Sequence, residues 1–477
     1  MKFIKKIKRL LSNCHDNGEL VTHGERDFTA TCLRLPVSGA AYIFRLGGQN
    51  GKILHLYPLT ADTDATPTHP SWILIDPERF FNEMGGFIRI EAGTQQVIGR
   101  HSEEQRIAFQ LPPWVANRHI ILEHEGDHLF VQDLKTDTGS HLTILQDKPS
   151  IERMAIWRNA RLEQIQQIHG GPLLPLAPDE ALDRLQRAHR ILRDTWMPDS
   201  DQPAPAIVYL SAQSIPILIG DLHEHIDNLL TLLTTGGCLH ALQRGHAKLI
   251  FLGDAVHPDE GKNLAEMTDS LLMMDLIFSL MIQFPGRVLY IRGNHDSCDE
   301  EISKQGISQG KAWQTTLVRS RGEVYHQAMM AFYQDLPYIA IHPWVVACHA
   351  APFVVKVNRE MLATLRNYPG LLRQLIWNRI HRPNRPGGYR ARDVRLFLQT
   401  LGGPVEPPLV VGHTPLDDHH TLWMNVGGID NHHILYGGYA KRIGWITFLD
   451  GVLTAQEYPV QPLLKQIAGR QETLPDA

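Results

Sequence analysis

Short apolar runs alternate with turn residues along the first third of the chain. Seven of these runs follow residue 29: AAYIFRL, ILHLYPL, WILI, FIRIEA, QQVIG, RHIILEHE and HLFVQDL. Segments such as Gly-Gln-Asn-Gly and Glu-Gly-Asp interrupt the series, and their residue types favour turns. The pattern predicts a β-sandwich over residues 29–148, preceded by a basic tail over residues 1–28.

The apolar spacing then becomes helical. Between residues 179 and 196 apolar side chains recur at intervals of three or four positions: Leu182, Leu185, Ala188, Ile191 and Leu192. Such a spacing places them on one face of a helix, and the following MPDSDQPAPA contains prolines that end it. We therefore predict a helical linker over residues 149–205.

Strands and helices alternate from residue 206 to about residue 460. Strand-like runs include IPILIGD, KLIFLGD, RVLYIRGNHD, WVVACHA, LVVGHTP and WITFLDG, and NLAEMTDSLLMMDLIFSLMIQF is the longest helical run. The alternation predicts an α/β layered domain, in which ligands bind at the carboxyl ends of strands. Residues 461–477 are predicted to form a loop-like tail. The predicted fold class is thus a multidomain protein with a β-sandwich, a helical linker and an α/β domain.

Length and composition narrow the class of protein. A chain of 477 residues with 43% hydrophobic residues can build several cores. Its net charge of −5, with acids and bases interleaved, gives no basic field, so no nucleic acid partner is expected. Five scattered cysteines without a CxxC pair indicate neither a disulfide framework nor a zinc finger. We expect a reducing, cytoplasmic location, with secretion into another cell by a specialised system left open.

The first eleven residues, MKFIKKIKRLL, form a short basic amphipathic pattern. They lack the continuous apolar core of an export signal. A solvated or docked tail is the favoured interpretation, and weak contact with an anionic membrane surface is the alternative.

Five of the predicted strands end in side chains that bind metals. These side chains are Asp221 and His223, Asp254, Asn294, His349 and His413. Carboxylate, amide and imidazole ligands without thiolates suit divalent first-row metals. Six ligands are too many for one ion with an open position, but they suit two ions about 3.5 to 4 Å apart that share a carboxylate and an activated water. His295, beside Asn294, is then free to protonate a leaving oxygen.

The ordered series GDLH, GDAVH, GNHD, His349 and GHTP resembles the calcineurin-like metallophosphoesterases. Within them it looks like the phosphoprotein phosphatase branch, which also contains diadenosine tetraphosphate hydrolases, because Pro415 replaces a second histidine. The resemblance covers the chain from residue 215 to about residue 451. It implies two divalent ions, Mn²⁺ first and Fe or Zn as alternatives, and a bridging hydroxide that attacks phosphorus. It assigns Asp221 and His223 to the first ion, Asp254 to both, and Asn294, His349 and His413 to the second, with His295 as general acid.

The same resemblance suggests phosphate-binding arginines. Arg292 matches the arginine that precedes the family's GNH motif, and Arg379 in IWNR resembles a phosphate-gripping arginine. The chain departs from the family at His257-Pro258, where an aspartate normally orients the catalytic histidine and an arginine grips phosphate. The candidates to replace the aspartate are His257, Asp259 and Asp296. The candidates to join Arg379 are Arg382 and Arg385.

The predicted β-sandwich resembles, in VIGRHS, VANRHIIL and VQDLKTDTGSHL, the forkhead-associated (FHA) domain, which binds phosphothreonine peptides. Arg100 matches that family's phosphate arginine, His119 its structural histidine, and Gly139-Ser140 its Gly-Thr pair. Ala116 and Thr138 stand where the family carries serine and asparagine. We therefore expect weak or absent phosphopeptide binding, and a structural role or a docking partner for this domain.

The sequence thus predicts a two-metal phosphomonoesterase that acts on phosphorylated protein at serine or threonine, with tyrosine left open. Hydrolysis of a dinucleoside polyphosphate or another small phosphate ester is the alternative within enzymes. A scaffold with an inactive phosphatase fold and a peptide-binding N-terminal domain is the alternative from another class. The His257-Pro258 departure favours the scaffold, whereas the complete ligand set opposes it.

Overall fold

The computed structural model describes residues 15, 17–29, 31–36, 40–59, 71–134, 136–145, 148–196, 204–259, 267–350, 352–383, 387–402, 407–439 and 441–471. The chain divides into two compact units. The first contains Met1–Arg161, Thr234–His240 and Leu449–Thr454, and the second contains Leu162–Leu233, Ala241–Phe448 and Ala455–Ala477. The amphipathic segment at residues 1–11 lies outside the described residues. Across the described ranges, no helix is long and apolar enough to cross a membrane.

The first unit contains two β-sheets. Its strands are β1 (Glu19–Leu20), β2 (Glu25–Asp27), β3 (Cys32–Pro36), β4 (Ala41–Leu46), β5 (Lys52–Leu59), β6 (Ser71–Ile75), β7 (Phe87–Ile90), β8 (Gln95–Ile98), β9 (Ile120–Glu125), β10 (His128–Asp133) and β11 (Ser140–Leu145). One sheet has the order β1-β3-β10-β9-β8 and the other β2-β11-β4-β5-β6-β7. Short helices α1 (Pro77–Asn82) and α2 (Glu103–Ala108) interrupt the strands. This region is β-rich, as the sequence predicted, and begins earlier than residue 29.

Side chains from both sheets form one core. Leu33 and Val131 from the first sheet and Phe44 and Trp72 from the second belong to the same buried cluster. All four are fully buried, as alternation along the strands requires. The apolar side chains that recur along these runs are therefore the ones that face the core.

Three loops meet near His119 at one end of these sheets. The Nδ1 atom of His119 accepts the backbone N–H of Ala116 (3.0 Å), and its Nε2 lies 3.1 Å from the carbonyl oxygen of Gly139. Arg100 lies in the same region, where its backbone N–H donates to Ala116 and its Nη1 donates to the carbonyl of Pro113 (3.0 Å). The loops that carry the predicted FHA-like residues thus meet, and the FHA-like assignment itself stays a prediction.

Two long helices follow the sheets. They are α3 (Lys148–His169) and α4 (Pro178–Trp196), and the division between the units falls inside α3. Helix α4 matches the predicted helix, and its buried side chains include Leu185, Ala188 and Leu192. It belongs to the second unit, where His189 Nε2 lies 2.8 Å from Asp335 Oδ2. The amphipathic stripe therefore covers a core, so α4 does more than link two domains.

The second unit contains two larger sheets and a small hairpin. Its strands are β12 (Ile207–Tyr209), β13 (Ile215–Ile219), β14 (Ala247–Phe251), β15 (Val288–Tyr290), β16 (Ser303–Lys304), β17 (Ile307–Ser308), β18 (Ile339–His342), β19 (Val345–Cys348), β20 (Leu409–Val411), β21 (Leu422–Trp423), β22 (His432–Leu435), β23 (Arg442–Leu449) and β24 (Val452–Pro459). The sheet orders are β12-β18-β19-β20-β22-β21 and β15-β14-β13-β23-β24. Strands β13, β14 and β15 are mutually parallel, as are β19, β20 and β22.

Helices connect these strands, and the first residues of helix Cys238–Arg244 and of strand β24 fall in the segments that belong to the first unit. The helices are α5 (Ile226–Leu233), α6 (Cys238–Arg244), α7 (Thr268–Gln283), α8 (Gln309–Arg321), α9 (Glu323–Asp335), α10 (Arg359–Ala363), α11 (Pro369–Trp377), α12 (Ala391–Thr400) and α13 (Leu463–Gln471). The predicted α/β layered architecture is present. Helix α13 lies where we expected a loop-like tail, because Leu463 and Ile467 recur at helical spacing and are buried.

The bonding state of one cysteine differs from the expectation that no disulfide framework is present. Cys32 is disulfide-bonded, whereas Cys238, Cys298 and Cys348 are free thiols. The scattered spacing of the cysteines gave no sign of this bond, because sequence distance does not report spatial distance.

An ion pair is buried inside the second unit. Arg321 Nη2 donates to Asp275 Oδ2 (2.7 Å), and the two side chains are 2% and 0% exposed. Oδ2 of Asp275 also accepts the backbone N–H of Leu176 (2.9 Å). Burial raises the pKa of the Asp275 carboxyl, while Arg321 opposes that rise. Water solvates neither buried charge well, so each side chain depends on the other to stabilise its charged form.

We predict that Arg321→Met lowers the free energy of unfolding of this unit by about 3 kcal/mol, because it leaves the Asp275 carboxylate buried without its partner. Chemical denaturation with a probe in the second unit measures the loss. Arg319→Met, on the exposed side of the same helix, is the matched control and should change the value by less than about 0.5 kcal/mol. Equal effects of the two substitutions would contradict a role for the ion pair.

Candidate metal centre

The six predicted ligands lie at strand ends of the two larger sheets of the second unit. Asp221, Asp254 and Asn294 follow the neighbouring strands β13, β14 and β15. His349 and His413 follow the neighbouring strands β19 and β20 of the other sheet. Each sheet is parallel across these strands, so their carboxyl ends lie on one edge. The architecture therefore brings together side chains that are almost 200 positions apart.

Tight backbone geometry turns these side chains toward each other. Asp254 and His413 have positive φ angles of 51° and 65°, a conformation that non-glycine residues rarely adopt. The neighbouring Gly293 has no room for a side chain, because an added Cβ would collide with the carboxylate of Asp254. Strained backbone of this kind is common where a site fixes the direction of a functional group.

The Asp254 carboxylate is the centre of the cluster. Its Oδ1 accepts the backbone N–H of His295 (2.7 Å), and its Oδ2 lies 3.2 Å from Nε2 of His349. Two groups of possible metal ligands share it, namely Asp254 with His223 and His295, and Asp254 with His349 and His413. Within each group the ligand atoms lie within 4.8 Å of one another. Asp254 is thus common to both groups, and the first group includes His295, the predicted general acid, in place of the predicted ligand Asp221.

The remaining predicted ligands surround this centre. His349 Nε2 lies 3.0 Å from Asn294 Oδ1 and 3.3 Å from His413 Nδ1. Both carboxylate oxygens of Asp221 lie 3.0 Å from the backbone nitrogen of His413, and Oδ2 lies 4.0 Å from Nε2 of His223. Asp221, Asp254, His349 and the other ligands are almost entirely buried. The structure thus brings all six together.

The donor set fits divalent metal ions. His413 Nε2 is buried and has no hydrogen-bond partner among the described residues. Such a nitrogen is costly to bury unless it binds something. Its neighbours offer imidazole nitrogens and carboxylate and amide oxygens, which divalent first-row metals accept.

The charges of the cluster perturb one another. Burial raises the pKa of Asp221 to about 6, with His349 opposing and Asp254 adding to the rise. Burial also works to raise the pKa of Asp254, but His349, His295 and His223 outweigh it and hold that pKa well below its usual value. Burial alone would lower the pKa of His349, yet Asp254 and Asp221 raise it to about 9. A buried carboxylate is thus kept ionised, as a metal ligand must be.

His257 is the candidate that contacts the predicted general acid. The Nδ1 atoms of His257 and His295 lie 2.9 Å apart, so one ring donates and the other accepts. The other two candidates are engaged elsewhere. Asp296 accepts the hydroxyl of Tyr290 (2.7 Å) and the backbone N–H of Gly293 (2.7 Å), and Asp259 pairs with Lys304. A histidine therefore occupies the place that the resemblance gives to an aspartate.

The predicted phosphate-binding arginines have different hydrogen-bond partners. Arg379 Nη1 lies 3.3 Å from the carbonyl oxygen of His413 and 3.4 Å from Thr414 Oγ1, at the edge of the cluster. Arg382 donates to the carbonyl of Pro415 (3.0 Å). Arg292 instead donates to the carbonyl of Tyr333, at the end of α9. The structure thus directs Arg292 to a backbone carbonyl, and Arg385 lies outside the described residues.

One group beside the cluster was missed by the sequence analysis. Asp259 accepts the hydroxyl of Tyr436 with one oxygen and pairs with Lys304, on the β16–β17 hairpin, with the other. The Tyr436 ring lies 5.6 Å from the ring of His223. Tyr436 directly follows strand β22 and precedes Gly-Gly, so the strand-end pattern used for the ligands could have found it. Lys304 gave no such signal.

Comparisons with known proteins agree with this geometry. Residues 217–438 match the model of the calcineurin-like phosphoesterase family. The catalytic subunit of serine/threonine-protein phosphatase 6 from Caenorhabditis elegans is 30% identical over 112 residues, which span 21% of this chain and 30% of that relative. Residues 217–438 of this chain are therefore a calcineurin-like metallophosphoesterase domain.

Solved structures of phosphatases are distantly similar. A serine/threonine phosphatase from Saccharomyces cerevisiae, described as similar to human phosphatase PP5, is 13% identical, with a TM-score of 0.44 over 59% of this chain and 90% of that chain. A cold-active protein-tyrosine phosphatase from a psychrophilic Shewanella is 16% identical, with a TM-score of 0.35 over 55% of this chain and 83% of that chain.

We predict that Asp254→Asn weakens divalent metal binding by more than about 100-fold, because the change removes the charged ligand that both groups share. Metal analysis after dialysis against Mn²⁺ checks this, with about two ions expected per wild-type chain. Asp418→Asn removes an exposed carboxylate and is the control. Unchanged metal content in Asp254→Asn would rule out a bridging role for this carboxylate.

Proposed function

We propose that this chain is a metal-dependent phosphomonoesterase that removes phosphate from serine or threonine residues of proteins. The observation that carries the proposal is the buried Asp254 carboxylate, shared by two ligand groups, with the partly exposed imidazole of His295 at its edge. When bound there, two divalent ions would supply an activated water and positive charge for the phosphoryl oxygens. Mn²⁺ is the proposed metal, and Fe or Zn would suit the same ligands.

The protein's own residues divide the remaining work. Arg379, close to His413, would bind phosphoryl oxygens and favour the charge that builds up on them. His295 would protonate the oxygen of the departing serine or threonine, and His257 would hold the His295 ring in place. The protein substrate, rather than a small phosphate ester, is supported by the matching phosphatase relative.

The first unit would then position the enzyme. Its proposed partner is a docking protein, since Ala116 and Thr138 replace the side chains that would strengthen phosphopeptide binding. The proposed location is the cytoplasm.

The test of this function is turnover of phosphoserine, phosphothreonine and phosphotyrosine peptides by the Mn²⁺-loaded protein, with diadenosine tetraphosphate measured beside them. Hydrolysis of the phosphoserine and phosphothreonine peptides is expected to be the fastest. Faster hydrolysis of the dinucleotide would select the alternative enzyme. Absence of turnover on every substrate, with metal bound, would select the inactive scaffold.

We predict that His295→Asn lowers kcat by about 10² to 10⁴ on phosphoserine peptides, because the change removes the proposed proton donor to the leaving oxygen. The loss should be much smaller on aryl phosphates, whose leaving groups need no proton. Metal content, measured in parallel, should stay near that of the wild type. A loss of equal size on both substrates would show that His295 is not the acid.

The contact between His257 and His295 affects how kcat should depend on pH. Burial lowers the pKa of His295 to about 4, and the charges of His223, His349 and Arg379 add to the effect, against Asp254. The acid form of His295 is lost as pH rises through its pKa, so a nearby charge that raises this pKa extends the acid form to higher pH. A neutral imidazole at position 257 adds no negative charge to delay that loss, whereas a carboxylate would.

We therefore predict that His257→Asp shifts the alkaline limb of the plot of kcat against pH to higher pH, by about one pH unit or more. His257→Asn, which can still form a hydrogen bond but carries no charge, is the matched control and should give no upward movement. The measurement is kcat against pH for both variants and the wild type at saturating metal. An alkaline limb that stays in place in His257→Asp would mean that position 257 does not act on the proton of His295.

A further inference from the structure

A small apolar groove lies beside the loop that follows His349. Its volume is about 280 Å³, and its lining combines buried Phe353, Val357 and Phe397 with half-exposed Val355 and Leu396. The Phe353 and Phe397 rings pack edge to face, 5.2 Å apart, and form the floor. Val354, next to Val355, is also 48% exposed. Clustered exposed apolar side chains around a concave floor mark a surface that gains free energy when it is covered.

The rim of this groove is positively charged. Lys356 and Arg359 line it, and Arg392 and Arg395 are exposed on α12, the helix that carries Leu396. None of these four cations has an ion-pair partner within the described ranges of the chain. Two carboxylates are near in sequence, and one of them, Asp393, accepts the backbone N–H of Arg390 (2.8 Å) at the start of α12. The other is the exposed Glu360, so cations outnumber acids here although the whole chain carries −5.

The groove is fixed to the metal centre through the backbone. Phe353 follows His349 by four positions, which limits the distance between their Cα atoms to about 15 Å. The intervening loop is bound to α11, since Ala350 N–H donates to Leu375 O (2.8 Å) and Asn378 Nδ2 donates to Pro352 O (2.8 Å). Helix α11 ends at Trp377, whose ring lies 5.9 Å from that of His413. A peptide of fewer than ten residues could therefore reach from the groove to the cluster.

We propose that this groove docks a segment of the phosphoprotein substrate that carries one or two large apolar side chains flanked by carboxylates. The inference rests on the proposed function and adds a substrate class to it. The apolar side chains of the segment cover the Phe353–Phe397 floor, and its carboxylates face the cationic rim. Charge complementarity of this kind selects acidic partners and speeds their association. The phosphorylated residue then reaches the metal centre as an effectively intramolecular partner.

The experiment uses the full-length, Mn²⁺-loaded protein and three peptides. One is a phosphoserine peptide, the second adds an acidic tail with leucine and phenylalanine after a six-residue Gly/Ser linker, and the third has the same tail with serine in place of both apolar residues. The groove variants are Val355→Asp and the double change Lys356→Glu with Arg359→Glu. The matched control is Lys311→Glu with Arg319→Glu, on the exposed face of α8. Turnover of p-nitrophenyl phosphate reports the chemistry alone.

The apolar acidic tail is expected to lower KM by about tenfold or more in the wild type and in the α8 control. Both groove variants should lose this gain while p-nitrophenyl phosphate turnover stays unchanged. A tail that has no effect in the wild type, or a gain that survives in the groove variants, would overturn the proposal. So would a dimeric wild type that Val355→Asp converts to monomer in sedimentation, because a second copy would then cover the groove.

Failure of the enzyme and failure of the groove can be told apart. If the wild type hydrolyses none of the substrates, the proposed function fails, and fluorescence anisotropy of the labelled tail peptide without phosphate still tests the groove. Binding that both groove variants weaken by about tenfold or more, and the α8 control does not, would support the docking surface. Absence of binding to the wild type would overturn it.

Discussion

The second unit is organised around the burial of one carboxylate. Asp254 is fully buried, and a lone charge there would be very costly. Imidazoles from His349, His295 and His223 stabilise its ionised form, and Asp254 in turn raises the pKa of His349 and opposes the fall in the pKa of His295. This mutual dependence explains why so many polar side chains can meet inside an otherwise apolar layer. It also makes the cluster a binding site for positive ions, because the imidazoles can exchange protons for metal.

Two parallel strand arrangements make this cluster possible. Each strand carries an apolar run that is buried on both faces, then a sharp turn, then one polar side chain. Because that order repeats, the sequence predicts the six ligands without any contact information, and the structure brings them together. The matched family model over residues 217–438 agrees with this interpretation of the C-terminal part. The β-rich nature of the first unit was predictable for a related reason, since alternation reports one buried face.

Contacts that depend on the direction of a side chain could not be predicted from the sequence. Three residues were candidates to orient His295, and only the structure shows that His257 lies against it while Asp259 turns to Lys304. Arg292 is next to the ligand motif in sequence, yet its guanidinium donates to the backbone carbonyl of Tyr333. Helix α4 looked like a linker because its periodicity shows an apolar stripe without showing what covers it. Such features depend on rotamers and on partners distant in sequence, which local pattern does not encode.

The proposed function requires that this cluster hydrolyses a phosphomonoester by direct attack of water on phosphorus, with no covalent phosphoenzyme. The configuration at phosphorus distinguishes the two routes, and it is measured by turnover in H₂¹⁷O of a serine peptide that carries a chiral [¹⁶O,¹⁸O]thiophosphate, with the Mn²⁺-loaded protein. One in-line displacement by water should give thiophosphate of inverted configuration. Net retention, which two successive displacements through a phosphoenzyme produce, or a phosphorylated protein trapped by acid quench, would contradict direct attack.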